Sequence, residues 1–252
     1  MIRNKALVAA ASLLLCAPLA MGQAAGGGRA PQTAKAAAQK DLTGYWVAYI
    51  TEDWRFRMIT PPKGDFSGVP LNADGRKAAM AWDPAAAASG DACQFYGAPA
   101  VMRIPGRLHI TWQDDNTLKV ETDAGTQTRL FNFSAKQQGP PGWQGSSVAQ
   151  WEKPESAGRV GFETPPQGGG LKVVTNNLRA GYLRRNGVPY SENAILTEYF
   201  DVGALPGVGQ VLVVTSIVND PKYLAQMYQL NTNFRKEADG SKWGPMPCSA
   251  NW

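Results

Sequence analysis

From Gly106 to its C-terminus the chain is a succession of short segments alternating apolar and polar residues, each closed by turn residues. That pattern leaves few folds open. The spacing predicts strands over about 106–113, 117–123, 126–134, 146–152, 171–177, 193–200, 209–218 and 227–237. Gly44 to Thr51 adds a first strand. The connections carry turn chemistry: Asp114-Asp115-Asn116, Ala124-Gly125, Gly139-Pro140-Pro141-Gly142, Gly168-Gly169-Gly170 and Asp239-Gly240. Gly203 to Gly209 reads as a loop. Sequential antiparallel strands in this number tend to close, because closure removes exposed edges. The expected fold is an all-β, antiparallel up-and-down barrel of about 8–10 strands.

Between the first strand and the rest lies a long irregular excursion, 52–105. Within it Asn72 is placed to cap a short helix running through Trp82 and stopped by Asp83-Pro84. Leu71, Ala78, Ala79 and Trp82 give that helix a weak apolar face, which suits a helix crossing one barrel end and equally a plain surface helix. The segments Phe95-Tyr96-Gly97-Ala98-Pro99 and Gly187-Val188-Pro189-Tyr190 either rim a cavity mouth or anchor loops on the barrel.

The N-terminus has the layout of an export signal. Arg3 and Lys5 precede an apolar stretch, Ala6 to Ala20, and Ala20-Met21-Gly22 offers a small-x-small cleavage site. The expected organisation is a signal peptide over 1–22, a flexible leader over 23–40 and one β-barrel domain over 41–252. Cys16 follows Leu15 rather than a small residue, which argues against lipidation. No other segment is apolar and long enough to span a membrane as a helix. Loss of the signal removes Cys16 and leaves Cys93 and Cys248, an even pair in an oxidising compartment, expected to form a disulfide. The protein is expected to be exported, to the periplasm or beyond.

Charge and motif searches exclude several classes. The excess of 25 Lys and Arg over 20 acids is spread along the chain, so no nucleic-acid footprint is visible. There is one histidine and no CxxC or HExxH, so neither a metal site nor a cofactor is expected. A Gly-x-Ser-x-Gly elbow and phosphate-binding glycine loops are missing as well. The aromatics, eight each of Trp, Tyr and Phe, suit barrel packing or an aromatic-lined ligand cavity.

Register singles out the candidate side chains. A three-residue loop at 114–116, with Asn116 left-handed, pairs Trp112 with Leu118 and Ile110 with Val120. The next hairpin turns at Ala124-Gly125 and pairs Thr122 with Gln127, Val120 with Arg129, and Leu118 with Phe131. One face of this sheet then carries Trp112, Thr122, Gln127, Arg129 and Phe131. His109 falls on the opposite, polar face across from Glu121, where a cross-strand His–Glu pair on a solvated face is the plain reading. A catalytic His109 requires that face to line the cavity. Arg129 on an apolar face is costly unless paired or bound to an anion. In 193–200, Glu198 shares a face with Leu196 and Phe200 and is the visible partner. Internal Arg129 either pairs with Glu198 or anchors a carboxylate or other oxyanion through its planar fork. Glu198 is also a candidate acid or base.

Gly44-Tyr45-Trp46 resembles the Gly-x-Trp signature of the lipocalin and wider calycin group. In that group the Trp packs at the closed end of an eight-stranded barrel, often under an Arg from near the last strand, a part Arg235 would take here. The first loop is far longer than that group usually has. Ser147-Val148-Ala149-Gln150-Trp151-Glu152, Leu196-Thr197-Glu198-Tyr199-Phe200 and Asn219-Asp220-Pro221-Lys222-Tyr223 are similar to segments of uncharacterised secreted bacterial proteins with lipocalin-like folds, a likeness that implies no activity.

Three functional readings follow. The first is a binding protein holding a small amphipathic molecule in the barrel, anionic where Arg129 anchors it, with Trp112, Phe131 and Phe200 as walls and Thr122, Gln127, Arg129 and Glu198 as polar contacts. The second is a cofactor-free isomerase, hydratase or lyase using Glu198, Arg129 or His109 in that cavity. The third is an envelope interaction module whose barrel is filled and whose 52–105 segment does the binding.

Overall fold

The computed structural model describes residues 32–89, 91–134, 139–152 and 169–250. The expected signal peptide and most of the leader lie outside the described residues. In chain order the strands are β1 (Gly44–Ala48), β2 (Arg107–Asp114), β3 (Thr117–Thr122), β4 (Ala124–Gly125), β5 (Gln127–Asn132), β6 (Ser146–Trp151), β7 (Leu171–Asn176), β8 (Gly181–Arg184), β9 (Val188–Tyr190), β10 (Ile195–Leu205), β11 (Gly209–Asn219), β12 (Tyr228–Lys236) and β13 (Met246–Pro247). Four short helices occupy the excursion: α1 (Trp54–Met58), α2 (Ala73–Ala81), α3 (Pro84–Ser89) and α4 (Ala98–Val101).

Nine strands close a barrel in the order β1-β2-β3-β5-β6-β7-β10-β11-β12, with β12 returning to β1. Nine is an odd number, so strand directions cannot alternate all the way round. The one parallel neighbour pair is β5–β6, joined through only two residue pairs, Phe131↔Ser147 and Asn132↔Val148. A parallel step needs a crossover of a dozen or so residues, and β5 ends at Asn132 while β6 begins at Ser146. The barrel is therefore not a pure antiparallel meander; its thinnest backbone seam lies between β5 and β6.

The register matches the hydrophobic pattern. Ile110 faces Val120, Trp112 faces Leu118 and His109 faces Glu121; Thr122 faces Gln127 and Val120 faces Arg129. The turn chemistry between β2 and β3 differs from expectation. The odd residue is absorbed by a bulge between Trp112 and Asp114, and Asn116 does not have positive φ. Its amide instead donates to Asp114 Oδ1 at 2.8 Å, an Asx turn that makes the left-handed residue unnecessary. In the β3–β5 connection Gly125 does have positive φ, 77°, and a Cβ there would meet the Tyr96 ring at 2.2 Å. Gly203 and Gly209 belong to strands rather than a loop, because β10 and β11 continue past the barrel as a ribbon turning at 206–208.

Among the described residues three apolar clusters form the core, the smallest around Phe95, Tyr96 and Ala124 beside the disulfide; the other two fill the barrel and its capped end. One, around Trp46, Ile110, Phe131, Phe200 and Phe234, occupies the barrel and takes Val101 and Met102 from the end of α4. The other joins Leu196, Val218 and Tyr228 at the barrel's upper rim to Val69, Leu71, Ala79, Leu183 and Tyr190 of the elements that cap it. Asn72 caps α2 as its sequence predicts, accepting from Gly75 N at 2.9 Å. The ribbon β8–β9 was not legible; α2 packs on it, so the helix lies across the capped end. Residues 32–40, the described part of the leader, run under the opposite end. There Ala34 N donates to Asn116 Oδ1 and Ala34 O accepts from Trp151 Nε1 at 2.9 Å. Cys93 and Cys248 are disulfide-bonded, tying the excursion to the C-terminal tail.

Trp46 is fully buried and donates from Nε1 to Leu42 O at 3.0 Å. The cation over its ring is not Arg235, which points outward and is exposed. Trp46 pairs with Lys236, whose Nζ sits 4.4 Å from the ring centroid and also bonds Thr43 O. Side chains alternate along a strand, so only one of the two neighbours can face in. Phe234 and Lys236 do.

Candidate functional site

Inside the barrel the two charged candidates meet. Arg129 Nη1 and Nη2 donate to Glu198 Oε1 and Oε2 at 3.0 and 2.5 Å. Both side chains are completely shielded from solvent. Arg129 Nη2 also reaches Thr175 Oγ1 at 3.3 Å, and Thr175 shares a hydrogen bond of 2.8 Å with Ser147. The guanidinium lies over the Phe131 ring at 4.9 Å, and Phe131 packs against Phe200 at 5.3 Å. Arg129 is on β5, Ser147 on β6, Thr175 on β7 and Glu198 on β10. The network thus spans the seam where β5 and β6 share only two residue pairs. Its side chains link strands that the backbone ladder joins through only two residue pairs. Thr175 and Ser147 were missed, although alternation through Leu171 and Val173 would have placed Thr175 on the inner face.

The other expected ligand contacts do not join this cluster. Trp112 packs on Phe133, which packs on Trp151, in an aromatic row beneath which residues 32–40 run. Thr122 donates to Ala124 O at 2.9 Å, and Gln127 Nε2 donates to Gly125 O at 2.6 Å. Gln127 also accepts from Gln144 Nε2 at 2.9 Å. These two residues hold the β3–β5 turn beside the disulfide. His109 is on the outer face, 3.3 Å from Glu121 and stacked on Tyr45 at 4.1 Å between ring centroids.

The capped end is built differently. A cavity of about 40 Å³ lies between α1, the residues after α4 and β8, lined by Arg57, Arg103, Arg184 and Arg185. The rest of its wall is apolar: Phe56, Phe95, Ala100, Ile104, Pro105 and Leu183. Arg57 pairs with Glu52 and donates from Nε to Arg103 O at 3.0 Å. Arg103 Nη2 pairs with Asp53 Oδ2 at 2.5 Å. Asp53 has φ 48°, left-handed geometry that aspartate tolerates. Arg184 has neutral partners, Ser67 O at 2.7 Å and Tyr228 Oη at 3.3 Å, and lies over the Phe56 ring at 4.3 Å. Arg185 touches Tyr96 Oη at 3.4 Å. Burial pushes the Arg57 guanidinium below its ordinary pKa, Glu52 pushes it back up, and Arg103 pushes it down again. Burial also lowers Arg185.

Beside this cavity, and sharing Phe56 and Arg184 with it, is an open one of about 340 Å³ walled by Glu52, Asp53, Ser67, Tyr228 and Asn231. A third opening, about 410 Å³, runs between Val208 and 235–242 on the outer surface. None of the three is lined by Arg129 or Glu198. Of the expected rim residues, Phe95 lines the small cavity, and Tyr190 is a buried anchor of the cap. The sequence signal for the capped-end site is faint: its four arginines are separated by up to 128 positions, and nothing in their spacing brings them together.

No protein-family model, no curated protein and no solved structure matches this chain. The closed barrel is compatible with a calycin-like architecture. Among the described residues no helix is long and apolar enough to cross a membrane, which says nothing of strands.

Proposed function

We propose that this is an exported, lipocalin-like binding protein that recognises its partner molecule at the capped end of the barrel and uses the barrel itself as a scaffold. The observation that supports this best is the Arg129–Glu198 pair. Each group takes up the other's charge in a fully buried bidentate contact, so the internal anchor expected for a ligand is already occupied. An enzyme using Glu198 would first have to break that pair. Recognition then falls to the excursion and β8–β9, where the folded helices and two of the three cavities lie. The disulfide is compatible with an oxidising compartment.

The test is native mass spectrometry of the protein purified from its producing cells, in three forms: wild type, Arg129→Met/Glu198→Leu, and Arg184→Gln. The expected result is a co-purifying molecule kept by the double variant and lost by Arg184→Gln. A molecule lost from the double variant and kept by Arg184→Gln places binding inside the barrel and refutes this reading.

A further inference from the structure

We infer that the outer face of the excursion, around Trp54, Met58, Ile59 and Met80, docks on the headgroup layer of an anionic lipid surface without inserting a helix. This goes beyond the reading of where a small molecule binds and does not depend on it. The first support is where exposed apolar surface lies. Ten large apolar side chains are exposed among the described residues, and these four, each more than half exposed, all fall within 54–80. The other six are spread over β5, β6, β10, β13 and the residue before β12. Scattered apolar residues need no explanation, whereas a concentration of them marks an interaction surface. Trp54 and Met58 stand four residues apart on α1 and so share one face of it, and Ile59 follows at its end.

The second support is that the fold gathers these elements on one turn, 184–187, between β8 and β9. Arg184 lies over the Phe56 ring of α1 at 4.3 Å. Asn186 Nδ2 donates to Pro62 O and Asp65 O at 3.1 and 2.9 Å. A Cβ on Gly187 would fall 2.3 Å from Trp82, which closes α2. A Cβ on Gly64 would lie 3.8 Å from Met80 Sδ. Thus α1, the segment after it and the last turn of α2 all rest on the same ribbon turn, with their large apolar side chains left in water.

The third support is charge, and it selects the partner. Within 54–82 the exposed charged residues are Arg55, Lys63, Arg76 and Lys77 against one acid, Asp74. Asp65, partly buried, engages Arg55 at 2.9 Å. Arg76 and Lys77 lie four and three residues before Met80, so they flank it on the helix surface. A two-fold contact with a second copy would set this patch against itself and bring cation to cation. A neutral apolar partner would leave the cations without counterparts. An anionic leaflet takes both kinds of group: Trp settles at headgroup level, Met and Ile reach below it, and Lys and Arg keep their heads at the lipid phosphates.

Co-sedimentation of the protein, purified from its producing cells, with large vesicles of phosphatidylcholine alone or mixed with phosphatidylglycerol tests the inference. Binding to the mixed vesicles is expected, at least about tenfold weaker on phosphatidylcholine alone and weaker again when salt rises from about 0.1 M to 1 M. Trp54→Ala/Met58→Ala should weaken it by about tenfold or more through lost apolar contact. Arg76→Gln/Lys77→Gln should weaken it by about tenfold on the mixed vesicles and little on phosphatidylcholine. All four positions are exposed, so circular dichroism and the urea midpoint should stay at wild type, which separates lost docking from lost fold. No binding by the folded wild type overturns the inference, as does binding that both variants keep in full. Equal binding to the two kinds of vesicle overturns the anionic part. If vesicles stay bare while equilibrium sedimentation shows a dimer that Trp54→Ala/Met58→Ala loses, the patch joins two copies of this chain and the lipid assignment is overturned.

Discussion

Replacing Arg129 by Met leaves Glu198, whose two carboxylate oxygens both accept from Arg129, as a lone buried carboxylate. Both partners are fully shielded, so neither can turn to water. Breaking such a pair from one side costs about 3–5 kcal/mol, whereas replacing both charges by apolar groups of similar volume is often neutral or stabilising by about 1–4 kcal/mol. The predicted series is therefore asymmetric. Arg129→Met and Glu198→Leu each lose about 3–5 kcal/mol, and the double variant returns to within about 1–2 kcal/mol of wild type. The return is expected to be incomplete, because the pair also spans the two-residue β5–β6 seam and its loss releases Ser147 and Thr175. Urea unfolding followed by tryptophan fluorescence reads the values, provided the slope m is unchanged between variants. Single variants that lose less than about 1 kcal/mol would refute the argument, since that is the worth of a solvent-exposed pair.

Reducing the disulfide, or Cys93→Ser/Cys248→Ser, should cost up to about 5 kcal/mol in the chain-entropy model, given a sequence separation of 155; urea midpoints with and without reductant check it. Tyr190 is buried with an unpartnered hydroxyl, and burial pushes its phenol pKa well above the ordinary value of 10. The folded state therefore holds that proton more tightly than the unfolded chain. Its contribution is complete below about pH 10, the unfolded value, and is lost as pH rises towards the folded one. Tyr190→Phe should accordingly be neutral or stabilising at pH 7 and should flatten the alkaline decline in midpoint. Lys236→Met should cost less than about 2 kcal/mol, because it removes a cation from above the Trp46 ring and a bond to Thr43 O while keeping an apolar cover. His109→Phe should leave binding unchanged, since its stack on Tyr45 lies on the outer wall; a titration against the bound molecule decides.

The barrel was legible because its rules are local. Alternation and turn residues located all nine barrel strands; matching apolar to apolar residues set the β2–β3 register, and the Ala124-Gly125 turn set that of β3–β5. The same arithmetic placed Arg129 and Glu198 inside. It failed where the determinant was not local. The parallel β5–β6 step follows from closing an odd number of strands, which no single segment announces. Lys236, rather than Arg235, covers Trp46 because one step along a strand reverses facing, and a Trp-plus-Arg motif does not carry that phase. The capped-end site was invisible for a further reason. Arg57, Arg103, Arg184 and Arg185 come from α1, the turn after α4 and the β8–β9 ribbon. They meet beside α4, whose Val101, with the adjoining Met102, packs into the barrel core.

Hydrogen exchange of the folded protein, with and without a low-molecular-weight extract of its producing cells, tests most directly whether the barrel is a scaffold and the cap the site. The account predicts added protection in 54–58, 98–104 and 181–190, with β5, β7 and β10 unchanged. Protection confined to β5, β7 and β10, around Arg129 and Glu198, would contradict it.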